Sequence, residues 1–133
     1  LALLTSSGHF VAGDDPEPFG IENLTQEEAI LRINDFIKSE PTLSAIPVDT
    51  PLDQLRVRHG GYDIRAAQAD PNVALPIERL LELTSEGVIG ELAPNVYSFV
   101  GATSQMSLIQ EAGPVWVDML KEQQVQAALL IPL

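Results

Sequence analysis

Two short, uninterrupted apolar runs constrain the fold of this chain most. They are LALLT at Leu1–Thr5 and AALLI at Ala127–Ile131. Continuous apolar runs of this length are typical of strands that a parallel sheet buries on both faces. We therefore predict that the two segments are neighbouring parallel strands in the middle of a sheet.

Helical patterns stand between these runs and the remaining strand candidates. Thr25 and Glu28 have the spacing of a capping box, so a helix is expected to begin there and to end before Pro41. A second helix is predicted from Pro76 through Glu86, and a third, interrupted at Gly113-Pro114, runs between Met106 and Leu120. The other strand candidates are LSAIPV, QLRVRH and VYSFV, at Leu43–Val48, Gln54–His59 and Val96–Val100.

Alternation of strands and helices predicts an α/β layered domain with a mainly parallel central sheet flanked by helices. The 133 residues suit a single domain, 1–133, and 45% hydrophobic residues can fill its core. Because the chain begins without methionine in one apolar run and stops in another, we expect it to be a fragment of a slightly longer chain.

Composition excludes several classes of function. A formal net charge of −12 repels nucleic acid and anionic lipid, and no apolar run approaches the roughly 20 residues of a membrane-spanning helix. The cytoplasm is the expected compartment. With no cysteine, the given residues exclude disulfides, thiolate chemistry and cysteine–zinc sites. No spacing resembles a metal-ligand motif such as HExxH, so no metal site is expected.

Polar turns follow two of the predicted strands and are the candidate functional sites. Ser6, Ser7, Gly8 and His9 follow the first strand, and their backbone N–H groups could form a nest for an anion. The alternative is a tight turn with polar residues. The acids of the later DDPEPFG segment (14–20) are interpreted as a solvated loop.

The HGGYD segment is the second candidate. His59 could transfer protons near neutral pH. Gly60 and Gly61 would let the backbone approach a ligand closely, while Tyr62 and Asp63 could orient the histidine. The alternative is that Asp63 caps the next helix and His59 is only hydrogen-bonded. Because ligands bind at the carboxyl ends of parallel strands, the loops after Thr5, His59 and Ile131 should meet at one edge.

Several segments, in order along the chain, resemble the selenoprotein B family of glycine, sarcosine and betaine reductases, with the related D-proline reductase subunit. The segments are LLTSSGHF, PEPFG, AIP, HGGYD, ADPNVALPIERLLEL, EGVIGEL, YSFVG and QAALLIP. The resemblance implies a short, single-domain member that takes part in reductive cleavage of a small amino acid or amine.

The same resemblance implies the cofactors and partners. A redox cysteine or selenocysteine is expected just beyond Leu133, because in the family it follows the strand matched by Ala127–Pro132. A pyruvoyl group that holds the substrate is expected on a partner subunit, and a homo-oligomer is expected too. In this hypothesis His59 transfers protons or activates the thiolate, and the glycine backbones hold a carboxylate. The competing hypothesis is a non-catalytic binding or assembly module that retains the fold.

Overall fold

The computed structural model describes residues 1–14 and 22–133, and its main layer is a four-stranded sheet. The strands are β1 (Ala2–Thr5), β3 (Ser44–Pro47), β5 (Asn95–Ser98) and β6 (Ala128–Ile131), in the spatial order β3-β5-β1-β6. Strand β1 is parallel to both β5 and β6, and β3 is antiparallel to β5. The predicted α/β class with a mainly parallel sheet is confirmed.

The position of β6 corrects one prediction. It is the parallel neighbour of β1, as expected, but it lies at the edge of the sheet rather than in the middle. Whereas Leu3 of β1 is fully buried, Leu130 of β6 is 63% exposed. The described helices therefore leave part of this apolar strand uncovered.

A second, two-stranded sheet was not predicted. Strand β2 (His9–Val11) pairs antiparallel with β4 (Leu55–Val57). The sequence interpretation placed His9–Val11 in an irregular loop because glycines and prolines surround it. Leu55 and Val57 of β4 are buried while Arg56 is half-buried, but Arg58, just after the strand, is buried too, so the arginines do not form a fully wet face. The Pro16–Gly20 motif lies outside the described residues.

Helices connect the strands. They are α1 (Gln26–Leu31), α2 (Ile33–Lys38), α3 (Arg65–Ala69), α4 (Ile77–Ser85), α5 (Gln105–Ser107), a π-helical segment (Leu108–Ala112) and α6 (Gly113–Glu122), with 3₁₀ turns at Leu52–Gln54 and Pro71–Val73. None of the helices in the described part of the chain combines the length and the apolar character that crossing a bilayer requires.

Local sequence signals fix several of these boundaries. The Thr25 hydroxyl accepts from the Glu28 N–H and the Glu28 carboxylate accepts from the Thr25 N–H, which is the predicted capping box. The helix that follows breaks at Arg32 into α1 and α2, a division the sequence did not predict. The interruption before Pro114 is confirmed as the π-helical segment.

Two hydrophobic clusters form the core. The first contains Leu24, Ala29, Phe36, Val57, Ile64, Ala67, Ala74 and Val100. The second, beneath the four-stranded sheet, contains Leu3, Ile46, Leu55, Leu75, Ile77, Leu80 and Val96. Trp116 is half-buried and contacts Phe99 with ring centroids 5.2 Å apart.

Gly8 joins the two sheets. Its N–H donates to the Phe99 carbonyl at 2.9 Å, and its carbonyl accepts from the Arg58 N–H at 2.9 Å. Its φ is +78°, and a Cβ atom there would lie 2.1 Å from the Arg58 carbonyl oxygen. The position therefore requires glycine for both its conformation and its lack of a side chain.

We predict that Gly8→Ala lowers the free energy of unfolding by about 3–5 kcal/mol, from left-handed strain and main-chain overlap together. Gly87→Ala is the matched control, because Gly87 has φ +74° and no atom within 4 Å of an added Cβ. It should lose only about 1–2 kcal/mol. Urea unfolding of both variants measures the difference, and equal losses would show that Arg58 does not press on residue 8.

Candidate functional site

Three segments meet at the edge of the sheet where β1 and β6 end. The Leu133 N–H donates to the Ser6 hydroxyl at 2.8 Å, which ties the end of β6 to the turn after β1. The Tyr62 hydroxyl donates to the Ser7 carbonyl at 2.9 Å, which ties the HGGYD segment to the same turn. The structure thus brings together the two candidate loops and the end of the last strand. We call this group of segments the edge cluster: residues 6–9, 59–63 and 132–133.

Ser6 continues the pairing of β1 with β6 past the end of both strands. Its N–H donates to the Ile131 carbonyl at 3.1 Å, and its hydroxyl receives the Leu133 N–H. Gly101 lies against Ser6: its N–H donates to the Ser6 carbonyl at 3.0 Å, and an added Cβ would come within 2.9 Å of the Ser6 Cβ. Ser6 therefore fixes the direction in which the backbone leaves β6.

Ser7, His9 and Ser98 form a buried polar chain beneath that turn. The Ser7 Oγ lies 2.6 Å from His9 Nδ1 and 3.3 Å from the Ser98 Oγ, which also accepts from the His9 N–H at 2.8 Å. All three residues are at most 1% exposed. A serine paired with a histidine can be a nucleophile, but this one is closed to any substrate, so the chain acts as internal support.

Burial keeps His9 uncharged. Desolvation lowers its pKa to about 4, and the Ala67 carbonyl beside the ring opposes that shift only in part. No described protein atom makes a hydrogen bond of ordinary geometry with His9 Nε2. The predicted anion nest is not available to a ligand, because the N–H groups of Ser7, Gly8 and His9 donate to the Thr5 hydroxyl, the Phe99 carbonyl and the Ser98 hydroxyl.

His59 is also buried and neutral. Its Nδ1 accepts from the Gly61 N–H at 2.8 Å, and its Nε2 faces the Ala102 N–H at 3.4 Å. Desolvation lowers its pKa to about 4. A neutral ring can accept from one of these two N–H groups, whereas an imidazolium would place N–H groups against both. Burial and these neighbours therefore disfavour the positively charged His59 that was expected to activate a thiolate.

Tyr62 and Asp63 make different contacts. The Tyr62 ring packs on the His59 ring with centroids 4.8 Å apart, and desolvation raises the pKa of its hydroxyl. Asp63 does not contact the histidine. Its carboxylate binds the Arg65 guanidinium and accepts from the Arg65 N–H, which lowers the pKa of Asp63 to about 2. Asp63 thus binds the first residue of α3, while the N-cap position itself is occupied by Ile64, which makes no side-chain cap bond.

The two glycines of the segment serve packing against the protein itself. A Cβ on Gly60 would meet the Ala29 carbonyl oxygen at 2.9 Å and the Ile33 Cδ1 at 3.0 Å. A Cβ on Gly61 would meet the His59 ring at 2.8 Å. Neither has a positive φ. The glycines were predicted to let a ligand approach the backbone, but at Gly60 it is helices α1 and α2 that lie close to it.

Sequence reasoning missed three residues that complete the edge cluster: Ser98, Gly101 and Ala102. They lie at the end of β5 and just after it, where VYSFV was predicted as a strand and YSFVG was noted only for its resemblance to the family. A serine near the end of a predicted strand, with a glycine three residues later, was the signal that could have identified them. No group of three potential metal ligands occurs among the described residues. A cavity of about 460 Å³ lies elsewhere, lined by residues 22–27 and 55–57 with Arg65 and Gln68.

Comparisons with known proteins identify the relatives of this chain. The family model of glycine/sarcosine/betaine reductase selenoprotein B matches residues 48–132. D-proline reductase subunit gamma of Acetoanaerobium sticklandii is 38% identical over 86 residues, covering 64% of this chain and 36% of that protein. Glycine reductase complex component B subunit gamma of Symbiobacterium thermophilum is 33% identical, covering 62% and 19%. Sarcosine reductase complex component B subunit beta of Peptoclostridium acidaminophilum is 36% identical, covering 54% and 16%.

The matches show which part of the chain is similar to these proteins. Each of these alignments spans about a third or less of the curated relative. The family match includes the His59–Asp63 loop, β5 and β6, but it begins after the Ser6–His9 turn, so the likeness noted there rests on the motif alone. No solved structure matches the chain significantly. By the match over residues 48–132, this chain belongs to the glycine/sarcosine/betaine reductase selenoprotein B family.

Proposed function

We propose that this chain is part of a B-type subunit of an amino-acid reductase and that it holds the redox residue of that subunit in position. The substrate would be a small amino acid or amine of the glycine, sarcosine, betaine or D-proline kind. The observation that carries the proposal is the contact between the Ser6 hydroxyl and Leu133, which anchors the backbone at the end of β6. A cysteine or selenocysteine that follows Leu133 would begin from that anchored point.

The edge cluster acts in this proposal as a scaffold. His59 Nδ1 accepts from the Gly61 N–H, Nε2 lies against Ala102, and the Tyr62 hydroxyl donates to the Ser7 carbonyl. Among the residues expected to contact substrate, Ser7, Gly8, His9 and His59 are buried. The ones a substrate can reach are Gly61 and Asp63, which are exposed, and Ser6, Gly60 and Tyr62, which are half-buried. We therefore assign His59 a positioning role instead of proton transfer.

The remaining chemistry would come from outside these residues. The chain contains no cysteine, so the thiol or selenol must come from residues beyond those given. A pyruvoyl group would belong to a partner subunit and would hold the substrate there. The printed names of the relatives, which are subunits and complex components, support an assembly with partner subunits.

A non-catalytic assembly module is the second candidate. The observation that favours it is the burial of the polar groups at the edge cluster, with Ser7 fully buried and His59 2% exposed. Such a module would keep the scaffold and bind partner subunits without a redox residue after β6. The two candidates differ in whether a change at Ser6 alters a reaction rate.

We predict that Ser6→Ala slows the reaction of the natural full-length protein. The assay combines that protein with its partner components and a dithiol reductant, and it measures consumption of glycine, sarcosine, betaine and D-proline. Loss of the hydroxyl frees the backbone after β6, and a misplacement of about 1 Å can cost roughly 100-fold in rate. We expect a decrease of about 10-fold or more in kcat.

Ser85→Ala is the matched control for this substitution. Ser85 is an exposed serine whose hydroxyl donates only to the Glu82 carbonyl in its own helix, at 2.7 Å. Its removal should leave kcat unchanged. An active complex in which Ser6→Ala and Ser85→Ala have equal rates would refute the anchoring role of Ser6. Failure to consume any of the four substrates would favour the assembly module.

The neutral histidines predict how stability depends on pH. Both have a folded-state pKa of about 4 against the ordinary 6.5, so protonation favours the unfolded chain. Stability is therefore complete above about pH 6.5 and falls as the pH drops toward 4. Each histidine should cost about 2–3 kcal/mol between pH 7.5 and 4.5.

Urea unfolding across this pH range, with His59→Asn beside the wild type, isolates the His59 contribution. The variant should lose about 2–3 kcal/mol less than the wild type between pH 7.5 and 4.5, whatever its stability at pH 7.5. Imidazole NMR shifts give the second measurement, and both rings should remain neutral at pH 6. A folded-state pKa near 6.5 for His59 would contradict this prediction and would support the hypothesis of a charged His59.

A further inference from the structure

Residues 99–104, which we call the β5 loop, lie beside the turn after β1. The Gly101 N–H donates to the Ser6 carbonyl at 3.0 Å, and the pairing continues one residue further in an antiparallel bridge. A Cβ on Gly101 would lie 2.9 Å from the Ser6 Cβ, so the two backbones are in direct contact. A displacement of the β5 loop therefore displaces Ser6, whose hydroxyl accepts from the Leu133 N–H.

Thr103 fixes the β5 loop to the end of α2. Its hydroxyl donates to the Ser39 carbonyl at 2.8 Å, and the Ser104 N–H donates to the same carbonyl at 3.1 Å. Thr103 is 4% exposed, so its hydroxyl is out of reach of a substrate. Its own N–H donates to the Gly101 carbonyl at 3.0 Å, which joins this contact to the residue that packs on Ser6.

Ser39 gives the contact a rigid base. It is the C-cap of α2, and its N–H and its hydroxyl both donate to the Phe36 carbonyl, at 3.0 and 2.7 Å. Phe36 is fully buried in the first hydrophobic cluster. A continuous series of hydrogen-bonded residues therefore leads from the core to the end of β6: Ser39, Thr103, Gly101, Ser6 and Leu133.

We propose that Thr103 is a positioning residue, which holds the β5 loop and, through it, Ser6 in the place that the backbone after β6 requires. Thr103 contacts no reacting group and acts through Gly101 and Ser6. The inference rests on the proposed function in one respect, namely that the backbone held in this way carries the redox residue.

The alternative is a hydroxyl that only stabilises the fold. The connections of the β5 loop favour positioning, because the loop contacts two segments of the edge cluster. Gly101 binds the turn after β1, and the Ala102 N–H faces His59 Nε2 at 3.4 Å. Without the Thr103 hydroxyl, the Ser39 carbonyl would still accept from the Ser104 N–H, so the contact can be weakened without leaving that carbonyl unpaired.

Three variants of the natural full-length protein separate the two roles. Thr103→Val removes the hydroxyl and keeps a similar shape, whereas Thr103→Ser keeps the hydroxyl. Thr84→Val is the matched control, because Thr84 is a half-buried threonine whose hydroxyl also donates to a carbonyl at 2.8 Å, that of Leu80 in its own helix. If Thr103→Val does not fold, Thr103→Ala replaces it in every comparison.

Amide hydrogen exchange, followed by NMR, tests the positioning without the reaction. Thr103→Val should raise the exchange rates of the Gly101 and Leu133 N–H groups about 5-fold, the size expected for loss of one hydrogen bond. Thr103→Ser and Thr84→Val should keep the wild-type rates at both groups. A hydroxyl that only stabilised the fold would instead speed exchange at strand amides that exchange by global unfolding, and would leave these two unchanged.

The reaction gives the second measurement, in the assay described for Ser6→Ala. Thr103→Val should lower kcat roughly 10-fold and leave KM unchanged, because the substrate does not contact residue 103. Thr103→Ser should restore the wild-type kcat. Adding Thr103→Val to Ser6→Ala should cause no further loss, since both residues act in one series of contacts, whereas independent effects would add.

The outcomes distinguish this inference from the proposed function. Unchanged exchange at Gly101 and Leu133 in Thr103→Val overturns the inference. An active complex in which Thr103→Val keeps the wild-type kcat, or in which its effect adds in full to that of Ser6→Ala, also overturns it. A wild-type complex that consumes none of the four substrates refutes the proposed function instead, and the exchange rates alone then decide whether Thr103 positions the end of β6.

Discussion

The backbone of Gly8 is the link on which the rest of the structure depends. By donating to Phe99 and accepting from Arg58, it connects the loop after β5 to the strand that leads into His59. The turn between Thr5 and His9 can lie at the sheet edge only because residue 8 has no side chain to strike the Arg58 carbonyl. The contact between Gly8 and Arg58 also positions Ser6, which binds Leu133, and Tyr62, which binds the Ser7 carbonyl.

Local signals made part of this fold predictable, and non-local pairing hid the rest. The Thr25–Glu28 box and the end of the helix predicted through Glu86, which Gly87 follows with a positive φ, depend on neighbouring residues, so they could be predicted directly from the sequence. Strand β2 could not, because it is only three residues long and exists through its pairing with β4 across some 45 residues. The edge position of β6 was hidden for another reason: an apolar strand has the same composition whether its own helices or another chain cover it.

The candidate site was predictable in its location but not in its chemistry. Strand ends alone indicated that the turn after β1, the His59 segment and the end of β6 would meet. Sequence could not show that His9 and His59 lie within a few per cent of complete burial. Burial determines the charge of a histidine, and here it lowers both pKa values and turns two potential acids into neutral structural groups.

Strand β6 determines where the proposed reductase scaffold would support its redox residue. Its pairing with β1 places its end beside the turn after β1, and Ser6 anchors that end. Tyr62 holds the same turn through the Ser7 carbonyl. A residue that follows Leu133 would therefore begin from a backbone position fixed by uncharged hydrogen bonds, and the lowered pKa values of His9 and His59 agree with a neutral surrounding.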